Sequence, residues 1–544
     1  MSRERNIWHW QNVLEPLKEH LKDYIGTTFT YIFTDSYEAG DQDWTPLFRD
    51  EFIRLKGYDP LPRIALRQLS QKYEGMEVFE KDNKEVISRL FIDNGWAVAK
   101  EMINDAGLQF FWEPYIGPFD LFESVSVPDM PMGEFWVDWD GAIVHEVAQA
   151  AALQGKNIVG AEAFSGRPEV CMYTEDPAYL KHTADVGFVF GANFLFITSW
   201  PHNPFDDRYQ PGLTMGWWGA HFGRNQTWIK PAKAFFTYIT RCQMLLQYGK
   251  YVSSGPMVHR SAPDAEIFFV TNPSDTVRDG FVSFPVSNRV PELWKADRGT
   301  IHEPIAWRDQ GDSTFVKLSL NPDESVFVVF PRERETGYAA LKLPAVEVIG
   351  ETSREVGGSW DVLFEPKLDE PFRLELPALI DFSQHADTAI KYFAGKAVYE
   401  RTITASAESL GKNGRVILDL GQMHDIAELS VNGQEAGVLW YPPYRADITS
   451  LLKPGDNTIT IAVTNNWANR LIGDEQYPAD FEWGQDRGRS MGRAMKAFPD
   501  WFLQDRPRPS KRKTFNIWYY YRKDAPLQPA GLVGPVQIIE QQIE

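Results

Sequence analysis

Hydrophobic positions in the first half of the chain follow two alternating periods. Asn12–Tyr24 places Leu14, Leu17, Leu21 and Tyr24 near one helical face. Phe29–Thr34 is a short apolar run ending at the polar Asp35, which predicts a buried strand. Four further runs read the same way: Leu108–Trp112, Met132–Trp136, Ile158–Ala163 and Phe194–Thr198. Helical spacing lies between some of them, at Lys84–Ala106 and Ile143–Gln154. Buried strand, polar loop, helix and next buried strand is the parallel α/β pattern, whose closed form is a (β/α)8 barrel. Only five such strands are legible before the pattern changes near Tyr251, so either further strands are not legible in the sequence or the chain lacks the N-terminal part of its barrel.

From Gly255 the period shortens to that of antiparallel sheets. Ala265–Val270, Gly280–Phe284 and Ser325–Phe330 are strands separated by Asn, Pro, Asp and Gly. A second β-rich stretch holds Val398–Glu400, Arg415–Leu420, Ala427–Val431, Gly437–Trp440 and Thr458–Val463, with Asn432–Gly433 as a hairpin turn. The expected organisation is multidomain α/β plus all-β. A catalytic barrel region spans 1–254, an accessory β-domain 255–340, and a jelly-roll sandwich of galactose-binding type 341–544.

Charge and composition narrow the function. The chain has 544 residues, 55 Lys+Arg against 75 Asp+Glu and a net charge of −20. That balance argues against a nucleic-acid partner or an anionic membrane. No run of about 18 apolar residues occurs and no signal-peptide stretch follows Met1, so the chain as written is expected to stay cytoplasmic. Cys171 and Cys242 allow one disulfide at most. Aromatic residues make up 14%. Where tryptophans sit beside carboxylates and glycines, as in Trp136–Asp140 and Trp217–Trp218–Gly219, they suit a pyranose, whose C–H face stacks on an indole, and equally the core of a large all-β or barrel protein.

Three carboxylate-bearing strands carry the candidate chemistry. Asp35 and Glu38 follow the first strand directly, where a barrel mounts its general acid. The same two residues would also serve as a helix cap and a solvent-facing acid. Glu162 lies within an apolar strand, a costly place for a carboxylate unless it is paired or protonated. Glu134 lies in an aromatic strand with Asp120 and Asp129 upstream, and such hard oxygens suit calcium or structural ion pairs. Other templates fail. His145–Gln149 lacks the second histidine of a zincin helix, and Gly488–Gly492 matches G-x-S-x-G without a preceding buried strand. Asn225–Thr227 is a lone glycosylation sequon, and the basic run Arg506–Lys513 reads as a solvated loop.

Several motifs occur together and in order: Asp35–Gly40, Trp44–Pro46, Arg54–Asp59, Pro131–Trp136, Glu162–Phe164, Pro211–Gly219 with His221 and Phe222, and, near the C-terminus, Val431–Gly433, Trp440, Pro442–Arg445 and Asn465–Asp474. The chain thereby resembles the α-L-rhamnosidases of glycoside hydrolase family 106. The resemblance implies an inverting exo-glycosidase that removes terminal α-L-rhamnose with calcium in its active site. It implies Glu38 as general acid, Glu162 as general base, and Glu134 at the metal. Asp35, Trp44, Trp136, His202, Trp217 and His221 are the expected sugar contacts, and a rhamnose-containing glycoside is the expected partner. Members are usually longer ahead of the first motif, so an N-terminally truncated barrel is expected. The rival readings are a carbohydrate-binding remnant and a glycosidase of other sugar specificity.

Overall fold

The computed structural model describes residues 1–40, 42–138, 142–253, 257–332, 342–343, 346–411, 413–488 and 492–544. The expected domain boundaries at 254/255 and 340/341 fall outside these residues, as do Trp139, Asp140 and Ser490. The chain divides into two compact units. The first comprises Met1–Phe135, Gly141–Glu162 and Phe190–Phe196; the second comprises Trp136–Asp140, Ala163–Val189 and Ile197–Glu544.

A parallel sheet of five strands organises the N-terminal half: β1 (Tyr31–Thr34), β2 (Gln109–Trp112), β3 (Met130–Trp136), β4 (Gly160–Ser165) and β5 (Phe194–Ile197). They lie side by side in sequence order. All five runs read from the sequence are strands, displaced by two residues or fewer at every end. A closed eight-stranded barrel is not formed among the described residues; β1 and β5 are the two edges of the sheet. Aromatic side chains of the two edges meet, and β1, expected to be buried, is only partly so, with Phe33 38% exposed. Phe33 of β1 stacks on Phe196 of β5 at 5.5 Å, and Tyr31 meets the same ring edge-on at 5.8 Å.

Period two sorts each strand's side chains into two layers. On β2, Phe110 and Trp112 pack with Trp10, Leu14, Ala99 and Ile103 of the flanking helices. Phe111 turns the other way, into an inner cluster with Met130, Met132, Tyr31, Phe194 and Phe196. The helix Arg3–Leu21 starts well before the expected Asn12, because Ser2 caps it by accepting from the Arg5 N–H. The long helix expected at 84–106 is Met76–Phe91 and Ala97–Asp105, joined by a π-helical turn over Ile92–Trp96. That turn lays Trp96 on Trp112 at 4.2 Å. Gly133 is required by packing: a Cβ there would come within 2.6 Å of the Val144 backbone in the helix Ala142–Leu153.

In the second unit a seven-stranded sheet and a three-stranded sheet share a core of Phe268, Val270, Phe284, Val316, Leu318, Val328 and Phe330. The C-terminal six-stranded and four-stranded sheets enclose another, built on Val362, Phe364, Tyr399, Leu418, Ile461, Val463 and Ile538. This is a β-sandwich, and its hairpin turns at Asn432 and Gly433, both at positive φ as that turn demands.

Four sequence readings change. Cys171 and Cys242 are both buried and free, so no disulfide joins them. The sequon asparagine, Asn225, is 6% exposed and donates to the Pro211 carbonyl, which leaves no room for a glycan. The basic run 506–513 is partly internal: Arg512 forks onto Glu475 with two contacts of 2.8 Å, and Arg508 pairs with Asp480. Asp129, expected near a metal, instead accepts from Lys100, Asn104 and the Phe110 N–H, while Asp120 caps the helix Leu121–Val125.

Candidate active site

The inner layer explains where the carboxylates of the first unit stand. Residues two apart on a strand share a face. Asp35 therefore follows Phe33, Glu113 follows Phe111, and Glu134 follows Met132 on the inner face. A Cβ on Gly160 would meet Met132 at 2.4 Å, so Glu162, two residues on, also faces inward. The β1–β2 register sets Thr34 opposite Trp112, which brings Asp35 and Glu113 level one step beyond. Apolar rings thus form a floor, and carboxylates lie above it toward the C-terminal ends of the strands, where parallel α/β folds do their chemistry.

Asp35, Glu113 and Glu162 each offer an oxygen within 4.8 Å of the others. Glu113 is wholly buried and accepts from the Tyr115 hydroxyl at 2.7 Å through Oε2. Its Oε1 is buried with no hydrogen-bond partner among the described residues. Burial, opposed by the Tyr115 hydrogen bond and reinforced by the charges of Glu162 and Asp35, pushes the Glu113 carboxyl up to about 10. Burial also raises the Tyr115 phenol, aided by the charges of Glu113, Glu134 and Glu162. An acidic cluster strained in this way holds either a proton or a cation. Its donors are hard oxygens, so calcium fits better than zinc.

Glu38, the expected acid, is exposed on the loop after β1 and is not one of the three clustered carboxylates. Ser36 donates to it weakly at 3.5 Å, and the Tyr37 hydroxyl ties the loop by donating to the Gly40 carbonyl at 2.7 Å. Trp44 on the same loop is half exposed and packs on Phe48 at 5.2 Å. Glu134 also lies outside the cluster of three and acts on Tyr115 through its charge. Glu113 was missed in the sequence although its signal was present: like Asp35, it is the carboxylate immediately after a buried strand.

The second unit groups the remaining candidates. His221 is 3% exposed; its Nδ1 and its backbone N–H both contact Glu175 Oε1, at 2.6 and 2.7 Å. Nε2 lies 3.0 Å from the Tyr520 hydroxyl, and Tyr173 stacks on the imidazole at 4.0 Å. His202 and His221 line one cavity of about 340 Å3, shared with Trp200, Asn203 and Arg224. Asn203 Oδ1 in its wall has no hydrogen-bond partner among the described residues. Trp217 lies parallel to Tyr520 at 6.5 Å, and Trp136 meets Trp218 edge-on at 5.3 Å. Sequence reasoning found His221 but not Glu175 or Tyr520, which stand 46 and 299 positions away along the chain. The zincin-like pair His145 and Gln149 simply contact each other along one helix, at 2.8 Å.

A solved rhamnosidase from Novosphingobium sp. PP1Y superposes with a TM-score of 0.80 at 23% identity, covering 99% of this chain and 64% of that one. The chain thus spans less than two thirds of that protein's length. A curated relative from Formosa agariphila, called a putative beta-glucuronidase, is 22% identical and covers 99% of this chain and 76% of its own length. A model of the glycosyl hydrolase 2 galactose-binding domain-like family matches residues 381–507, within the C-terminal sandwich. No helix among the described residues is long and apolar enough to cross a membrane. The alpha-L-rhamnosidase model of glycoside hydrolase family 106 matches residues 1–255 and 253–308, more than half of the sequence, and the chain belongs to that family.

Proposed function

We propose that this protein hydrolyses a terminal α-L-rhamnosyl bond with inversion at the anomeric carbon. The observation that carries this reading is the convergence of Asp35, Glu113 and Glu162 above the inner aromatic layer. Glu162 acts as general base and takes a proton from the attacking water. Glu38 acts as general acid and protonates the departing oxygen from its exposed loop. Inversion calls for a carboxyl separation of roughly 6.5–9.5 Å in the working complex, leaving room for water. Asp35 and Glu113 would hold calcium beside the base Glu162, and it would supply a hard cation for the vicinal hydroxyls at C2 and C3 of the sugar. The buried, unpartnered Glu113 Oε1 supports that assignment. Trp44 offers an exposed indole for a sugar face, and His202 offers a donor at its own cavity.

The test is turnover of an aryl α-L-rhamnoside followed by proton NMR. Initial release of β-rhamnose is expected, and initial α-rhamnose would overturn inversion. An aryl β-D-glucuronide belongs in the same panel, because the Formosa relative bears that name. Turnover of the glucuronide alone would replace the sugar assignment. Saccharide binding without turnover of either compound would favour a binding role.

A further inference from the structure

A second pocket, distinct from the cavity that His202 and His221 line, lies in the C-terminal part of the second unit, and its Gly492 wall backs onto Trp217. Three short segments build it. Trp483 bridges to Met495, and Ala494 bridges to Trp518. The Gly484 N–H donates to Ala494, and the Arg487 N–H donates to Gly492. Between them opens a pocket of about 630 Å3, within the 300–1,000 Å3 typical of small-ligand sites.

Its chemistry is selective. Trp483 and Trp518 are half-buried in its wall. The Trp518 indole N–H is buried without a hydrogen-bond partner among the described residues. Arg487 and Lys496 also line it, and no carboxylate does so among the described residues, on a chain of net charge −20. Lys496 is paired with Glu482 at 2.8 Å, whereas the Arg487 guanidinium makes no ion pair among the described residues. Two indole faces and a guanidinium without an ion pair among the described residues match a sugar ring that carries an anion.

We propose that this pocket is a second saccharide site, which binds an anionic sugar unit with its ring against Trp483 and Trp518 and its carboxylate or sulfate on Arg487. Such a site would hold an acidic polysaccharide while a terminal residue is removed elsewhere on the protein.

The experiment uses the full chain carrying Glu162→Gln, so that no probe is turned over. Trigalacturonate, a sulfated trisaccharide and neutral maltotriose are titrated by calorimetry and by tryptophan fluorescence. Expected is binding of at least one acidic probe, about tenfold tighter than maltotriose, and weakening with added salt. Arg487→Gln should lower that affinity about tenfold and flatten the salt dependence. Trp518→Phe should weaken it while leaving the thermal melt unchanged. The two acidic probes tell a carboxylate site from a sulfate site. Equal binding of all three probes, no binding of either acidic probe, or acidic binding that survives Arg487→Gln would each overturn the proposal. None of these outcomes depends on the catalytic assignment, which is judged by turnover alone.

Discussion

Glu113 and Glu175 are both wholly buried, and each has one carboxylate oxygen without a hydrogen-bond partner among the described residues. They differ in their company. Glu113 stands among other acids, and burial with those neighbours drives its carboxyl up to about 10. Glu175 stands against an imidazole and a backbone N–H, both gripping the same oxygen. The first arrangement stores electrostatic strain that a proton or a cation relieves, and the second fixes a ring in place. Burial alone therefore does not set a carboxylate's electrostatic state; the charges around it do.

The largest expected effect tests the strained cluster. Glu162→Gln should lower kcat on an aryl rhamnoside by roughly 10²–10⁴ while the fold stays intact, because it removes the base. Glu38→Gln should lose most activity on a sugar-alcohol leaving group and much less on an acidic phenol. Equal losses on both substrates would remove Glu38 from the role of acid. On the architectural side, His221→Ala leaves Glu175 buried without its partner and should cost about 3–5 kcal/mol in chemical denaturation. Adding Glu175→Gln should recover much of that loss, and a null effect of His221→Ala would mean the pair supports nothing.

A smaller effect separates proton from cation in the first cluster. Glu113→Gln should weaken calcium binding by roughly 10–100-fold in calorimetry, as expected when a ligand or its support is lost. Unchanged calcium affinity would show that the cluster holds no metal.

The smallest effect uses a third acidic group, Asp176 and Asp425 in the second unit. Burial raises Asp176 to about 6, and burial with the charge of Asp176 raises Asp425 well above the usual carboxylate range. Asp425 is 4% exposed and its Oδ2 lacks a hydrogen-bond partner among the described residues. The folded state therefore binds more protons than the unfolded one. The stability this contributes is fully present below about pH 4 and is lost as pH rises through 6 and beyond. Asp425→Asn should leave the melt unchanged near pH 4 and raise it at pH 8, by an amount on the order of 1 kcal/mol. A shift of equal size at both pH values would contradict the linkage.

Much of the architecture was legible without coordinates. Five apolar runs bounded by polar loops are the five parallel strands, because such a sheet packs apolar side chains on both faces, although the edge strands β1 and β5 are only partly buried. The Asn432–Gly433 turn was equally plain, since few other residues accept positive φ there. Helix ends were less plain. Ser2 capping and the π turn at Ile92–Trp96 follow from local hydrogen bonding that hydrophobic spacing does not record.

The residues themselves determined which strands deliver acids: Asp35 just past β1, Glu134 inside β3 and Glu162 inside β4. Glu113 just past β2 obeyed the same rule and was overlooked. What the tertiary structure decided is which of them meet. Register and curvature of the sheet bring Asp35, Glu113 and Glu162 together and leave Glu38 and Glu134 outside the group. Packing likewise gave His221 its partners Glu175 and Tyr520, far away along the chain. The physical reason is one of range. Side-chain period and turn chemistry act over a few residues, so sequence displays them. Convergence of charges depends on the distance between chain segments, which only the folded sheet sets, and that distance determines whether a buried carboxylate is strained or satisfied.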